Sequence, residues 1–405
     1  PLVGAAVLWL IDDEDLLKST TLGITLVELA LACLVLMRFV PDSAAMQFAE
    51  HARWMPALGI GYHLAVDGIS VLFVGLTAFL TVLVVIYSWD TVRNQVRLYF
   101  MALLALETTT IGIFVSIDLI LFFVFWELML IPSYFLIKLW GGGADRHYAA
   151  LKYVLYTLLG SVFMLVGIAL LDINYHQWAV THHMDHVYSF DLLELLSVPI
   201  PLSQQILIFW LMFMGFAFKA PVFPFHTWLP SAYAEAPTGA SMFLTGVMSK
   251  MGVYGFLRIL WPLFATQLHA AAPCLIWLAV AGVVLGAYAA LKQTDLKRLV
   301  AYSSINHLSY CLLALFAVAL ARQPGEASAA ALSGTILQMF NHGLSAAALF
   351  FCVGLLEDRS GGRRGIADFG GVRSAAPLFA ALCGIAMFSS LGLPGLNGFV
   401  GEFLI

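Results

Sequence analysis

Gly215-Phe-Ala-Phe-Lys-Ala-Pro-Val-Phe-Pro-Phe-His-Thr-Trp-Leu-Pro230 is an apolar helix that meets a lysine and then two prolines. A charge at membrane depth costs at least ~2.5–3.5 kcal/mol, so it is rare without a partner or a polar cavity. A proline in a membrane helix frees a backbone carbonyl, which is tolerable only where protein or water satisfies it. A charge beside a broken helix is also how transporters build ion sites near mid-membrane. Lys219, with Pro221 and Pro224 after it, implies an ion path through a membrane protein.

The composition agrees. The chain is 61% hydrophobic and 11% charged, where soluble domains carry roughly 25% charged residues. Its apolar residues fall into about twelve runs, most of them long enough to cross a bilayer as helices of ~20 residues. These are 1–11, 21–40, 64–87, 98–116, 117–138, 148–172, 203–229, 240–260, 272–291, 298–319, 329–355 and 376–405. The expected fold is an all-α polytopic membrane protein. Five scattered cysteines, with no CxxC, provide neither a disulfide framework nor a metal site. No signal-peptide cleavage pattern is present. Residue 1 already lies in an apolar run and the chain stops within another, so we expect a longer parent protein.

Positive loops stay on the cytoplasmic side. Loops leaving odd-numbered runs carry Lys18, Arg93, Arg97, Lys138, Arg146, Lys152, Lys292, Lys297, Arg298, Arg359, Arg363, Arg364 and Arg373. The opposite side carries Arg38, Arg53, Arg258 and Arg322. The N-terminus is therefore expected outside.

Three sections follow from where the ionisable residues sit. The first three apolar runs contain few of them, and residues 1–97 read as peripheral helices. Residues 98–260 hold Glu107, Glu127, Lys219 and Lys250, and residues 261–405 hold His307, His342 and Glu402. A second proline-interrupted helix, Ser389-Ser-Leu-Gly-Leu-Pro-Gly-Leu-Asn-Gly398, precedes Glu402. Two broken, charge-bearing helices in corresponding places point to an internal repeat.

Each candidate has a chemical rationale and a plainer alternative. Glu127, in Phe122-Phe-Val-Phe-Trp-Glu-Leu-Met-Leu-Ile-Pro132, would pair with Lys219 and hand over a proton as the pair forms and breaks. The alternative is a static ion pair. Lys250, in Gly246-Val-Met-Ser-Lys-Met-Gly-Val-Tyr-Gly255, is a buried proton carrier or a lysine snorkelling to the surface. His307 and His342 stand among small polar residues in apolar helices, where a side chain that titrates near neutrality suits a relay. Hydrogen-bonded core histidines are the plainer reading. Glu107 is followed by Thr108, Thr109 and Thr110, whose hydroxyls would hold it as a neutral acid. His226 faces an aqueous vestibule or caps the broken helix. Asp67, Asp118 and Asp295 sit at run ends and read as capping or packing residues. His176, His182, His183 and His186 lie in 173–202, expected as a polar outer loop with an amphipathic stretch; solvation accounts for them more simply than a metal site. No phosphate loop, zinc spacing or haem CxxCH is present, so the driving energy must come from another subunit or from an ion gradient.

These segments resemble the antiporter-like membrane subunits of respiratory complex I, the M (chain 4) type of proton-translocating NADH–quinone oxidoreductase. The resemblance rests on Phe125-Trp-Glu-Leu-Met-Leu-Ile-Pro132, Lys219 through Pro230, Ala234-Glu-Ala-Pro-Thr238, Lys250 through Arg258, Leu296-Lys-Arg-Leu-Val-Ala-Tyr-Ser-Ser304, His342-Gly-Leu-Ser345 and Leu393-Pro394 through Gly401-Glu-Phe403. It implies fourteen helices with two inverted five-helix repeats, the second incomplete here, and a half-channel in each repeat. It implies that Glu127 and Lys219 form the family's glutamate–lysine pair and that Lys250 is the central lysine. His307 and His342 would be the connecting histidines, Glu402 the exit-side acid and Glu107 an acid on the fourth helix.

The resemblance implies no cofactor in this chain, with flavin, iron–sulfur clusters and quinone in partner subunits. Those partners would include antiporter-like L and N types and membrane lipids, with no nucleic acid. The place would be a bacterial-type inner membrane or an equivalent energy-transducing one. Asn306 stands where a small hydroxyl is expected, and Ser231-Ala-Tyr-Ala replaces acidic or histidine residues. The alternatives are an Mrp-type cation/proton antiporter subunit, a membrane-bound hydrogenase subunit, or a scaffold whose charges only hold helices together.

Overall fold

The computed structural model describes residues 1–184, 186–321 and 325–405; Arg322 lies outside them. Each of the twelve apolar runs corresponds to helical structure. The first two are α1 (Leu2–Leu8) and α2 (Glu14–Arg38). A two-stranded antiparallel hairpin, β1 (Gln47–Met55) and β2 (Ile60–Val66), comes next. It takes the start of the run at 64–87, whose remainder is α3 (Ser70–Thr91). Then come α4 (Val96–Val115), α5 (Leu119–Leu128), α6 (Leu130–Trp140) and α7 (Arg146–Thr181). A short α8 (Leu192–Ser197) leads into α9 (Leu202–Lys219), which stops at the lysine, and the chain resumes helix at α10 (Trp228–Glu235).

The eighth run is not a plain α-helix. It comprises α11 (Thr238–Phe243), a π-helical segment (Leu244–Met248), α12 (Lys250–Gly255), a second π-helical segment (Phe256–Leu260) and α13 (Trp261–Leu263). Beyond it lie α14 (Ala265–Leu291), α15 (Leu296–Leu320), α16 (Glu326–Arg359), α17 (Val372–Ala375), α18 (Pro377–Ser390) and α19 (Asn397–Leu404). Among the described residues, nine helices are long and apolar enough to cross a membrane, α5 and α6 counting as one. The other three runs are the short α1, the π-interrupted eighth run, and α18–α19 with its break at Pro394.

α16 is the central post. It packs against α3, α11, α15, α18, α19 and the first π-helical segment. α14 lies along α15, and α7 lies along α9. Outward faces are apolar: Leu151, Leu155, Leu159, Val162 and Val166 on α7, and Trp277, Val284 and Tyr288 on α14, are exposed. Contiguous apolar surface of this kind belongs against lipid or another subunit.

The aspartates at run ends do cap. Asp295 accepts the Arg298 amide at 2.9 Å, and Asp67 accepts the Ile69 and Ser70 amides. Asp118 accepts the amides of Ile120 and Leu121 at the start of α5 and, through its other oxygen, that of Gly61 in β2 at 2.9 Å. It thus fastens the hairpin to a helix start. Burial pushes its carboxyl above the usual range, opposed by those three amides. Loss of an N-cap costs about 0.5–2 kcal/mol, and here Gly61 loses its acceptor as well. Asp118→Ala is therefore expected to destabilise by roughly 2 kcal/mol, read as a lower thermal midpoint of the detergent-solubilised protein.

Candidate functional site

α9 ends at Lys219 because Pro221 and Pro224 have no amide to continue the helix. The broken end is satisfied locally: the Trp228 indole donates to Phe218 O at 2.8 Å and Val222 N to Ala217 O at 3.0 Å. Lys219 is fully buried, and its Nζ has no hydrogen-bond partner. It lies 5.0 Å from the centre of the Trp126 ring and 6.0 Å from that of Tyr153. Aromatic faces attract an ammonium, but they are not a counter-ion. Glu127, next to Trp126 on α5, faces Lys219 and Ser161, yet its Oε1 is also unpartnered. No ion pair within 4.0 Å joins Glu127 to Lys219 among the described residues. The expected neighbours are adjacent without being in contact.

Lys250 opens α12 between the two π-helical segments. A π segment leaves carbonyls outside the regular i to i−4 ladder and is frequent at functional sites. Lys250 uses one of them, donating to Thr245 O. Its Nζ also lies 2.8 Å from His342 Nδ1. Lys250 is fully buried and does not snorkel. The close approach depends on two glycines: a Cβ on Gly343 would sit 2.6 Å from Gly246 O. With hydrogen at both positions, α16 brings His342 up to the lysine.

From His342 the line continues. The His342 and His307 rings have centroids 4.9 Å apart. His307 Nδ1 is 3.1 Å from Glu402 Oε1, and Gln338 Nε2 donates to the same oxygen at 2.7 Å. Tyr310 OH donates to Glu402 O at 3.2 Å. Lys250, His342, His307 and Glu402 therefore form a succession of titratable groups from α12 through α16 and α15 to α19. Between Lys219 and Lys250 stand Tyr153 and Met248, with Tyr153 OH 3.2 Å from the thioether sulfur. No direct hydrogen-bonded bridge links the two lysines among the described residues.

Glu107 is fully buried with both carboxylate oxygens unpartnered. The threonines do not hold it. Thr108 and Thr109 donate to the helix's own carbonyls, Leu104 O at 2.8 Å and Ala105 O at 3.0 Å, the usual mid-helix choice of a threonine hydroxyl. Instead Glu107 faces Glu28 of α2 and Thr81 of α3. Glu28, in a run read as peripheral, was missed, and no local signal marks it. Gln338 was also missed, although its spacing of four from His342 puts both on one face of α16. His226 stacks on Phe223 at 5.4 Å with Nδ1 unpartnered, and caps nothing. The expected loop begins later than the sequence implied: α7 runs to Thr181, so His176 and Trp178 are helical, with His176 stacked on Tyr188 and His182, at the helix end, on Trp178.

Residues 116–405 match the family model described as NADH:quinone oxidoreductase/Mrp antiporter, transmembrane. The chain belongs to this antiporter family. A Rickettsia conorii protein named NADH-quinone oxidoreductase subunit M is 41% identical over 91% of this chain and 71% of its own length. Its Rhodobacter capsulatus namesake is 40% identical across the whole chain and 78% of its own length. Respiratory complex I from Thermus thermophilus contains a chain that superposes with a TM-score of 0.86 at 29% identity, covering 100% of this chain and 79% of that one. The Mrp complex of a Dietzia species gives 0.83 at 26%, covering 100% and 42%. Antiporter-family membership therefore covers both broken helices, at Lys219 and before Glu402.

Proposed function

We propose that this chain is a proton-translocating membrane subunit of an NADH–quinone oxidoreductase of the complex I type. It works without a redox centre of its own, coupled to quinone reduction in partner subunits. The observation that carries the reading is the buried succession Lys250, His342, His307 and Glu402, reached from a second buried lysine at a broken helix. The sections 98–260 and 261–405 act as the two repeats, each contributing one broken helix to the path. The N-terminus lies on the outer side, and L- and N-type subunits and lipid cover the apolar flanks.

In this mechanism, closure of Glu127 onto Lys219 holds a proton on the ammonium, and separation releases it. The ammonium over Trp126, out of ion-pair range of Glu127, supports a separated state of the pair. The proton passes to Lys250 through water admitted beside Tyr153, then by His342 and His307 to Glu402. Glu107 and Glu28 bias the first section electrostatically. Moving one charge against about 100 mV requires ~2.3 kcal/mol, within what forming and breaking one buried charged contact supplies.

Lys219→Ala and Glu127→Gln test it. Each is expected to lower the protons moved per quinone reduced in proteoliposomes of the whole complex, while assembly and quinone reduction persist. Normal pumping by either variant would sink the mechanism. A second reading, cation/proton exchange in an Mrp-type assembly, is favoured by the Dietzia likeness. Sodium-dependent proton movement without any redox partner marks that case.

A further inference from the structure

On the face bearing most of the loop lysines and arginines, a cavity of about 430 Å³ opens among the ends of α3, α4, α6, α7, α11, α15 and α16. Its wall includes Lys297, Glu357, Asp358, Arg146 and Thr238. Liquid water occupies roughly 30 Å³ per molecule, so the space holds on the order of ten waters. Lys297 is buried, with Nζ 2.7 Å from Glu357 Oε2 and 3.4 Å from Ala236 O. Arg364 approaches the other Glu357 oxygen at 3.8 Å and donates to Ala234 O at 2.7 Å. Tyr87 OH donates to Asp358 at 2.6 Å. Close by, Glu235 keeps one buried carboxylate oxygen without a partner. A charged cluster of this kind, walling a space large enough for many waters at the seam between the two sections, is more than a surface ion pair.

The cavity also leads somewhere. Thr238 and Ser241 share a face of α11, Thr245 lies in the π-helical segment after it and Ser249 follows that segment, and all four are buried. Ser241 donates to Tyr233 O at 2.7 Å and Ser249 to Thr245 O at 3.1 Å, while the Thr245 and Ser304 hydroxyls meet at 3.1 Å. A hydroxyl that has donated its hydrogen still has lone pairs to accept another; these hydroxyls donate to backbone carbonyls or to Ser304 rather than to one another, so water must bridge from one to the next. The series ends at Lys250, which bonds Thr245 O.

We propose that this cavity is a proton-uptake mouth serving Lys250 directly, separate from the route through Lys219. Glu357 is the loading carboxylate and Lys297 the positioning residue that holds and releases it. Glu357 takes a proton from cavity water and separates from Lys297. The proton moves by water to Thr238 and, through water bridging the buried hydroxyls, on to an unprotonated Lys250. The charged lysine then faces His342, and Glu357 re-pairs with Lys297. One proton enters and none is left behind. The proposal rests on the pumping function argued above.

The test uses the whole complex in proteoliposomes, comparing Glu357→Gln, Glu357→Asp and Thr238→Val with Lys250→Met. Protons per quinone reduced are expected to fall by this chain's share in Glu357→Gln and Thr238→Val, and to be restored in Glu357→Asp. A static tie across the seam would change thermal stability and leave that ratio alone. Normal ratios in Glu357→Gln and Thr238→Val, with loss in Lys250→Met, overturn the uptake mouth and leave the pumping function standing. A normal ratio in Lys250→Met instead overturns the pumping function itself. If the Glu357 variants fail to assemble, Thr238→Cys decides. A membrane-impermeant methanethiosulfonate added from the basic face is expected to react and block pumping, and failure to react overturns the mouth.

Discussion

Lys250→Met is expected to abolish proton movement through this chain while leaving the complex assembled. Methionine fills nearly the same volume without a proton, so packing between α12 and α16 survives and the link to His342 is lost. Positioned proton transfer contributes about 10²–10⁴-fold, so the step past residue 250 should slow by at least ~100-fold. Lys250→Arg sharpens the test. Arginine keeps the positive charge and the donors, but it cannot be deprotonated in a protein. If Lys250 only balances charge, arginine suffices; if it carries protons, arginine fails as methionine does. The measurement is protons translocated per quinone reduced for both variants, with assembly checked on native gels. Wild-type ratios in Lys250→Arg would reduce the lysine to a structural charge.

Gly252→Val is expected to have the largest effect on stability. A Cβ at this position would lie 2.4 Å from Ala220 N and 2.6 Å from Ala220 Cα. These are backbone atoms at the broken end of α9, with no flexible side chain to give way. Overpacking a core costs typically 1–3 kcal/mol, and with a rigid neighbour we expect about 3 kcal/mol. Gly23→Ala and Gly384→Ala are the controls, since an added Cβ there meets nothing within 4 Å. In a helix the Gly→Ala change contributes roughly 0.5–1 kcal/mol in the stabilising direction. A lower thermal midpoint for Gly252→Val, with equal or higher ones for the controls, would establish that the Lys219 and Lys250 helices are locked by backbone contact.

Those positions also show how far the sequence could be read. Hydropathy is a local property, so the twelve runs each found their helix, and the stop at Lys219 follows from prolines two and five residues on. The line from Lys250 to Glu402 was legible because its members are polar residues stranded in apolar helices. What was illegible lies between helices. Nothing near Glu28 says that it faces Glu107 across α2 and α4, and nothing near Thr108 says that its hydroxyl turns back to Leu104 O. The hairpin was hidden because Gln47-Phe-Ala-Glu-His-Ala-Arg-Trp-Met55 has neither an apolar run nor a regular alternation, and nearly all of it is exposed. The cavity beside Lys297 requires residues from seven separate helices. The gap between Glu127 and Lys219 is a matter of side-chain position that no spacing encodes.

α7 has 36 residues, about 54 Å at 1.5 Å each, against a hydrocarbon core of roughly 30 Å. Its N-terminal part carries Tyr153, beside Lys219, and its C-terminal part is fastened through Asp172 to Ser189. A rigid rod much longer than its sleeve behaves as a lever. A sideways displacement of one arm, pivoting within the bilayer, is expected to swing the other the opposite way. A push on the C-terminal arm would then be felt as a shift of Tyr153 relative to the ammonium.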